Sequence, residues 1–238
     1  MDFEEKAMAV FRRGDDAEVT RLADQELGSA RADGDPQGEV DALCMLSRVA
    51  IRQGDLDEGR ALAEQARTIA RQAGNPALAQ MPLHILAGAA RLADDFERAR
   101  SLAAEAIAAH QALGDIRMLA IEEHNLGHLE LNDGQVGRAR GLFTSAREHV
   151  AKARDTTLLP ELALGVAAVA AVDREFARAA RLLGAIDSTL SASRRVFDPD
   201  DFLEEQTLRA KLEAALGEPA FAEAYRKGVG EDVQQALA

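Results

Sequence analysis

The stretch HNLGHLELNDGQVGRA, from His124 to Ala139, decides the fold, because its turn residue Gly134 belongs to a column that recurs every forty residues. The other members of this column are Gly14, Gly54, Asp94 and Arg174. Two more columns keep the same step: Leu22, Leu62, Leu102, Leu142 and Leu182, and the polar series Asp35, Asn75, Asp115 and Asp155. A period in this range is typical of a solenoid, in which each repeat buries its apolar face on its neighbours.

Each copy of the repeat has the pattern of two helices joined by a tight turn, and residues 35–74 show it well. Asp35 is a good N-cap and Pro36 is tolerated in a first turn, so a helix is predicted to begin there. Apolar side chains then recur at helical spacing until Gly54 interrupts the helix. A second amphipathic run follows, which Gly74 can end in the left-handed conformation before Asn75 caps the next helix.

The repeat register predicts an all-α fold, a right-handed α-solenoid of about five helix–turn–helix repeats with a forty-residue period. The repeats span about residues 1–34, 35–74, 75–114, 115–154 and 155–190. The first copy is truncated and irregular, as expected of a terminal repeat. The register is lost after about Leu190, and residues 191–238 are predicted to form helices that cap the exposed face of the fifth repeat.

Composition limits the classes of partner. The chain has 238 residues and a net charge of −13, which disfavours direct binding of nucleic acid and of anionic membranes. Its lone cysteine, Cys44, rules out an intrachain disulfide framework. The sequence has neither a signal-peptide pattern nor an apolar stretch long enough to cross a bilayer, and a cytoplasmic location is the expectation.

Short motifs recur at matching places in the copies. Before the turn stand Leu46-Ser47, Leu86-Ala87 and Leu126-Gly127, and after it stand Ala99 or Ala139 and then Ala66, Ala106 or Ala146. These motifs resemble the tetratricopeptide signature, whose usual unit is 34 residues. The longer unit is similar to the repeats of LuxR-type and maltose-activator-like bacterial regulators and of signal-transduction ATPases. This resemblance covers nearly the whole chain and implies a bacterial regulatory or signalling protein.

The sequence departs from those regulators in one respect. They carry a phosphate-binding loop and often a helix-turn-helix, and neither is apparent here. The chain is therefore either the repeat region of a larger protein or a stand-alone relative. The G-x-S-x-G and H-E-x-x-H signatures are missing too, and Glu122, Glu123 and His124 are interpreted as a solvated helical face. We predict no enzymatic activity, no catalytic residue and no cofactor.

The first helix of each copy has two stripes of side chains. One stripe, which includes Leu43 and Ser47, is predicted to pack against the second helix of the copy. In tetratricopeptide proteins the other stripe lines the concave groove that holds peptides, so the resemblance implies a partner-binding groove. Its candidate residues are Asp41, Cys44, Arg48, Arg52, Met81, His84, Arg91, His124, His128, Asn132 and Glu161.

Arginine side chains in this stripe can present forked donors to a carboxylate or a phosphate. We therefore expect the groove to bind a protein partner, as an extended peptide or a helix that carries acidic groups. The alternative is an open surface of solvated polar residues with local ion pairs at Asp41 or Glu161.

Two other functions stay open at this stage. Cys44, His84 and His124 share one column, and His124 and His128 stand four residues apart, which suits Zn²⁺ or Ni²⁺. Packed helices lie about 8–10 Å apart, so residues from three copies converge poorly, and no metal is the first expectation. A small-molecule- or metal-sensing regulatory domain is one alternative function. The other is a self-associating scaffold in which the alanine-rich helices pair as a homo-oligomer.

Overall fold

The elements of this chain are helices whose ends follow from residues close by in sequence. The computed structural model describes residues 2–237, and every regular element in that range is helical. The chain divides into two compact units, Met1–Asp115 (unit 1) and Ile116–Ala238 (unit 2). None of the described helices is long and apolar enough to cross a membrane.

Unit 1 is built from consecutive helical hairpins. Its helices are α1 (Phe3–Phe11), α2 (Asp16–Asp33), α3 (Pro36–Arg52), α4 (Leu56–Gln72), α5 (Gln80–Leu92) and α6 (Phe96–Leu113), with a 3-10 turn at Pro76–Ala79. The pairs α1–α2, α3–α4 and α5–α6 pack together, and α3 also contacts both α1 and α5. The first helices of the copies therefore lie side by side. Ion pairs join the second helices, from Arg67 to Glu105 and from Arg98 to Glu64.

Unit 2 continues the hairpin pattern and ends in three further helices. Its helices are α7 (Ile116–Asn132), α8 (Val136–Ala153), α9 (Leu159–Val172), α10 (Phe176–Ser193), α11 (Pro199–Leu216), α12 (Glu218–Gly228) and α13 (Val233–Ala236), with a 3-10 turn at Thr156–Leu158. The helices α7–α8 and α9–α10 pair as hairpins, and α7 contacts α9. The segment predicted as a cap packs on the last hairpin, because α11 and α13 contact α9 and α10, and α12 contacts α10.

The forty-residue column of turn residues has a backbone reason. Gly14, Gly54, Asp94, Gly134 and Arg174 all have positive φ, between 57° and 86°. The left-handed conformation at this position ends the first helix of each hairpin and lets the chain reverse. Glycine adopts it without a Cβ penalty, which explains why three of the five members are glycine. The predicted tight turn in each copy is confirmed.

Side-chain caps explain where the first helices begin. The carboxylate of Asp35 accepts a hydrogen bond from the N–H of Gln37, and the side chain of Asn75 accepts one from the N–H of Ala77, which confirms both predicted caps. After Asn75 the chain forms a 3-10 turn, so α5 begins later than the sequence predicts. Pro82 explains the delay, because it has no N–H to donate to the carbonyl four residues before it, inside the turn.

The packing stripe of the first helices is confirmed in α3. Leu43 is fully buried, and the Ser47 hydroxyl donates a hydrogen bond of 2.6 Å to the carbonyl oxygen of Gly59 on α4. A Cβ on Gly59 would lie 2.5 Å from Cγ1 of Ile51, so a larger residue here would require the Ile51 side chain to shift. In the other stripe of α3, Asp41, Arg48 and Arg52 stay partly exposed.

Candidate functional site

Arg48 occupies the centre of the predicted groove stripe in unit 1. Its guanidinium lies between two methionine sulfurs, with Nη1 3.9 Å from Sδ of Met8 on α1 and Nη2 3.6 Å from Sδ of Met81 on α5. Met81 was itself a predicted groove residue, so the structure brings these two candidates together. Thioether side chains are flexible and polarizable, which suits a surface that adapts to a partner.

Three other candidates in unit 1 are used by the fold itself. Arg52 Nη1 donates to the carbonyl oxygen of Phe11 and to the Asp16 carboxylate, both at 2.8 Å, and its Cζ lies 3.4 Å from the centre of the Phe11 ring. Arg91 and Cys44 are buried, and burial raises the pKa of the Cys44 thiol. Arg52 and Arg91 therefore do not offer the forked donors expected of them, and a neutral thiol is a poor metal ligand.

Four candidates remain partly accessible, and we call them the α3–α5 face: Asp41, Arg48, Met81 and His84. The side-chain amide of Gln37 donates to both carboxylate oxygens of Asp41, at 2.9 and 2.8 Å. Burial raises the pKa of Asp41 from 3.8 to about 6; the Gln37 hydrogen bonds oppose this shift and nearby carboxylates add to it. The face thus combines one arginine, a soft sulfur and a carboxyl group that titrates at mildly acidic pH.

Because the pKa of Asp41 is higher in the folded chain than in the unfolded chain, ionisation of this side chain lowers stability. The stabilisation that comes from the protonated carboxyl of Asp41 is fully present below pH 3.8 and is lost as pH rises through about 6. We expect Asp41→Asn to be about 1 kcal/mol more stable than the wild-type chain at pH 7.5, after allowance for partial exposure, and equally stable at pH 3.5. Urea unfolding at both pH values measures this difference. The exposed Asp57→Asn change removes the same charge and should show no such pH-dependent gain.

In unit 2 the predicted groove stripe is covered by α11. His124 and His128 on α7 are only 3% and 1% exposed. Nε2 of His124 lies 3.0 Å from Oδ1 of Asp201, and Nδ1 of His128 lies 3.7 Å from Oε2 of Glu204. The side-chain amide of Asn132 donates to Oε1 of Glu204 at 2.9 Å. The residues that the sequence places in an open groove thus contact an acidic helix of the chain itself.

Glu161, the last candidate, pairs with the segment that leads into α11. Arg195 Nη2 donates to Glu161 Oε1 at 2.7 Å, and Arg195 Nη1 donates to the carbonyl oxygen of Thr157. Burial raises the pKa of Glu161 to about 7, with Arg195 opposing the shift and Asp201 adding to it. An ion pair is therefore present at Glu161, as the open-surface alternative expects, but it lies in a largely buried place.

The sequence interpretation missed the residues of the C-terminal segment that meet this stripe. Asp201, Glu204 and Arg195 all follow the loss of the forty-residue register, so alignment by the repeat cannot assign them to a face. The available signal was the pair Asp198-Pro199, which can begin a helix, and the acidic residues that follow it. These acidic residues are Asp200, Asp201, Glu204 and Glu205, at helical spacing.

Potential metal ligands gather at one place in the part of the chain that the structure describes. One ligand atom each from His124, His128 and Asp201 lies within 4.8 Å of the other two, and all three side chains are buried. We call these residues the His–Asp cluster. Two members of the metal alternative drawn from the sequence, His124 and His128, belong to it, whereas Cys44 and His84 lie in unit 1.

The predicted solvated face at Glu122, Glu123 and His124 is wrong, because all three side chains are buried. Glu123 faces α8, where its carboxylate accepts hydrogen bonds from the Ser145 hydroxyl at 2.8 Å and from His149 Nδ1 at 2.7 Å. His124 faces α11 instead. Because α8 and α11 cover different sides of α7, the polar side chains of this helix find partners within the fold.

Comparison with known proteins shows the fold. No family model matches the chain, and no curated protein matches it. Among solved structures, the apo form of RapI is similar, with a TM-score of 0.61 and 14% identity over 99% of this chain and 97% of RapI. BtubC (BKLC) from P. vanneervenii has a TM-score of 0.59 and 14% identity over 96% of this chain and 91% of its own. Both are helical-repeat, tetratricopeptide-like proteins, and this chain has the same kind of fold.

Proposed function

We propose that this chain is a non-enzymatic interaction module that binds an acidic segment of a protein partner on the α3–α5 face. The observation that carries the proposal is the position of α11. In unit 2, α7, which corresponds to α3 and α5, already holds the acidic helix α11 through His124 and Asn132. The segment that leads into α11 pairs with α9 through Arg195 and Glu161. Solenoid repeats present equivalent surfaces in successive copies, so the equivalent surface of unit 1 is suited to a similar occupant.

Arg48 supplies the chemistry for this recognition. Its guanidinium lies against the sulfurs of Met8 and Met81, which are weak hydrogen-bond acceptors. A partner carboxylate would add a charge-assisted hydrogen bond at this guanidinium, and the methionine side chains would pack against the apolar part of the partner. We place this activity in bacterial cytoplasmic regulation or signalling, on a right-handed stack of about five repeats related to those of LuxR-type regulators.

A labelled peptide that copies residues 198–216 is a probe of defined sequence for this face. We expect it to bind the full-length chain, and we expect Arg48→Met to weaken binding by about 10- to 100-fold, because one charge-assisted hydrogen bond is lost. Methionine preserves most of the apolar contact with Met8 and Met81. Fluorescence anisotropy measures the affinity, and a peptide with amides at positions 201 and 204 should bind as weakly as the wild-type peptide binds Arg48→Met.

Arg98→Gln is the matched control, since it removes an arginine charge from α6, where Arg98 pairs with Glu64 away from the face. This variant should bind the peptide like the wild-type chain. Equal affinity of wild type and Arg48→Met, or an equal loss in Arg98→Gln, contradicts recognition on the α3–α5 face. In particular, if the peptide displaces α11 and binds in its place in unit 2, its affinity should be the same for the wild-type chain and for Arg48→Met.

A further inference from the structure

His124 and His128 lie one helical turn apart on α7, and Asp201 in the first turn of α11 meets them from the opposite helix. The rings of the two histidines contact each other edge-on, with centroids 4.7 Å apart. Only one nitrogen of His124 faces Asp201. The other, Nδ1, is buried and has no hydrogen-bond partner among residues 2–237. A buried ring nitrogen without such a partner requires an explanation.

The donor set of this cluster suits a transition-metal ion. Two imidazoles and one carboxylate are common ligands of Zn²⁺, and two histidines four residues apart present their nitrogens on one face of a helix. Two further carboxylates add negative charge nearby: Glu204 lies 3.7 Å from His128, and Glu161 interacts electrostatically with both His124 and Asp201. Arg195 pairs with Glu161, and a dication would offset the negative charge of Asp201 and Glu204 beside the two imidazoles.

The spacing is close to what coordination requires. Zn²⁺ bonds of 2.0–2.2 Å in a tetrahedral site set the ligand atoms about 3.3–3.6 Å apart. The ligand atoms of the His–Asp cluster lie within 4.8 Å of one another. Side-chain rotations that move these atoms by about 1 Å would bring them to the separation that Zn²⁺ requires. Glu204, one turn further along α11, can supply a fourth ligand.

We propose that His124, His128 and Asp201 bind a Zn²⁺ ion that fastens α11 to α7. The ligands come from two helices that are separated by many residues in sequence, so the ion binds only when α11 is docked. Binding therefore stabilises the docked position of α11 by mass action. The inference concerns unit 2 and holds whether or not the α3–α5 face binds a partner.

The test is calorimetric titration of Zn²⁺ into the metal-stripped full-length chain, prepared without a histidine tag. We expect saturable binding of a single ion, and an affinity about 100-fold or more lower in His128→Gln and in Asp201→Asn. His149→Gln is the matched control, because it removes a histidine on α8 that pairs with a carboxylate, Glu123, outside the cluster. This variant should keep the wild-type affinity for Zn²⁺.

Two readouts on the wild-type chain support the test if a variant does not fold. Co²⁺ in place of Zn²⁺ should give the intense visible absorption of a four-coordinate ion, and Zn²⁺ should slow amide hydrogen exchange in residues 199–216. No saturable binding of Zn²⁺, unchanged affinity in the folded cluster variants, or the weak spectrum of six-coordinate Co²⁺ overturns the metal site. If Zn²⁺ binds but does not slow amide hydrogen exchange in α11, the proposal that the ion stabilises the docked position of α11 is overturned.

Discussion

Replacing Gly228 with alanine is expected to lower the free energy of unfolding by about 3 kcal/mol or more and to detach α12 from α10. A Cβ at Gly228 would overlap the carbonyl oxygen of Arg181 and lie 2.9 Å from the backbone nitrogen of Ala185. The reciprocal contact is equally close, since a Cβ at Gly184 would overlap the carbonyl oxygen of Tyr225. These obstacles are backbone atoms, which cannot rotate away as a side chain does. The two helices would have to separate.

Urea unfolding of Gly228→Ala and Gly184→Ala measures the loss, and amide hydrogen exchange of residues 218–228 shows whether α12 is the segment that opens. Gly141→Ala is the matched control, because a Cβ at this helical glycine of α8 meets no atom within 4 Å. It should raise stability by about 0.5–1 kcal/mol, since alanine favours a helix over glycine. If Gly228→Ala is as stable as Gly141→Ala, the close crossing of α10 and α12 does not exist.

Replacing Phe143 with alanine is expected to cost about 3–5 kcal/mol, the range for removing a buried aromatic side chain. Phe143 on α8 is 4% exposed, and its ring lies against the backbones of α7 and α9. Two glycines make room for it: a Cβ at Gly127 or at Gly165 would lie 2.6 Å from a ring carbon. The ring also contacts the imidazole of His128, with centroids 5.1 Å apart. Its removal leaves a cavity that three helices share.

Phe202→Ala is the matched control for this change, because Phe202 on α11 is 56% exposed, and it should cost little. A second comparison tests the mechanism. Gly127→Ala should destabilise the wild-type chain, where the added methyl meets the ring, yet cost less or nothing in Phe143→Ala, where it enters the cavity. Additive effects of the two substitutions, or a cost of Phe143→Ala no larger than that of Phe202→Ala, would contradict this packing.

Much of the fold was predictable, because its signals act over a few residues. The left-handed turn at Gly134 and its equivalents depends on the backbone conformation of one residue, and the caps at Asp35 and Asn75 depend on hydrogen bonds across two residues. The late start of α5 was missed because Pro82, within the helix, removes the bond that an earlier start would need.

The candidate site was predictable only in part. The forty-residue register grouped Arg48 with Met81, because Met81 is the equivalent of Asp41, which lies on the same stripe of α3 as Arg48, and the structure brings the two side chains together. It did not predict that Arg52 binds the Phe11 carbonyl and the Asp16 carboxylate, since both belong to the first copy, whose sequence departs from the repeat pattern.

By itself, then, the sequence determined that this chain is a helical repeat, where its turns lie and which stripe of α3 packs on α4. Those features arise from local backbone preferences and from helical periodicity, both of which can be recognised in a short segment of the sequence. Only the tertiary structure decided that α11 covers the outer stripe of α7 and completes the His–Asp cluster. His124 and Asp201 are 77 residues apart, and their contact depends on how α11 packs on α9 and α10, which no local pattern encodes.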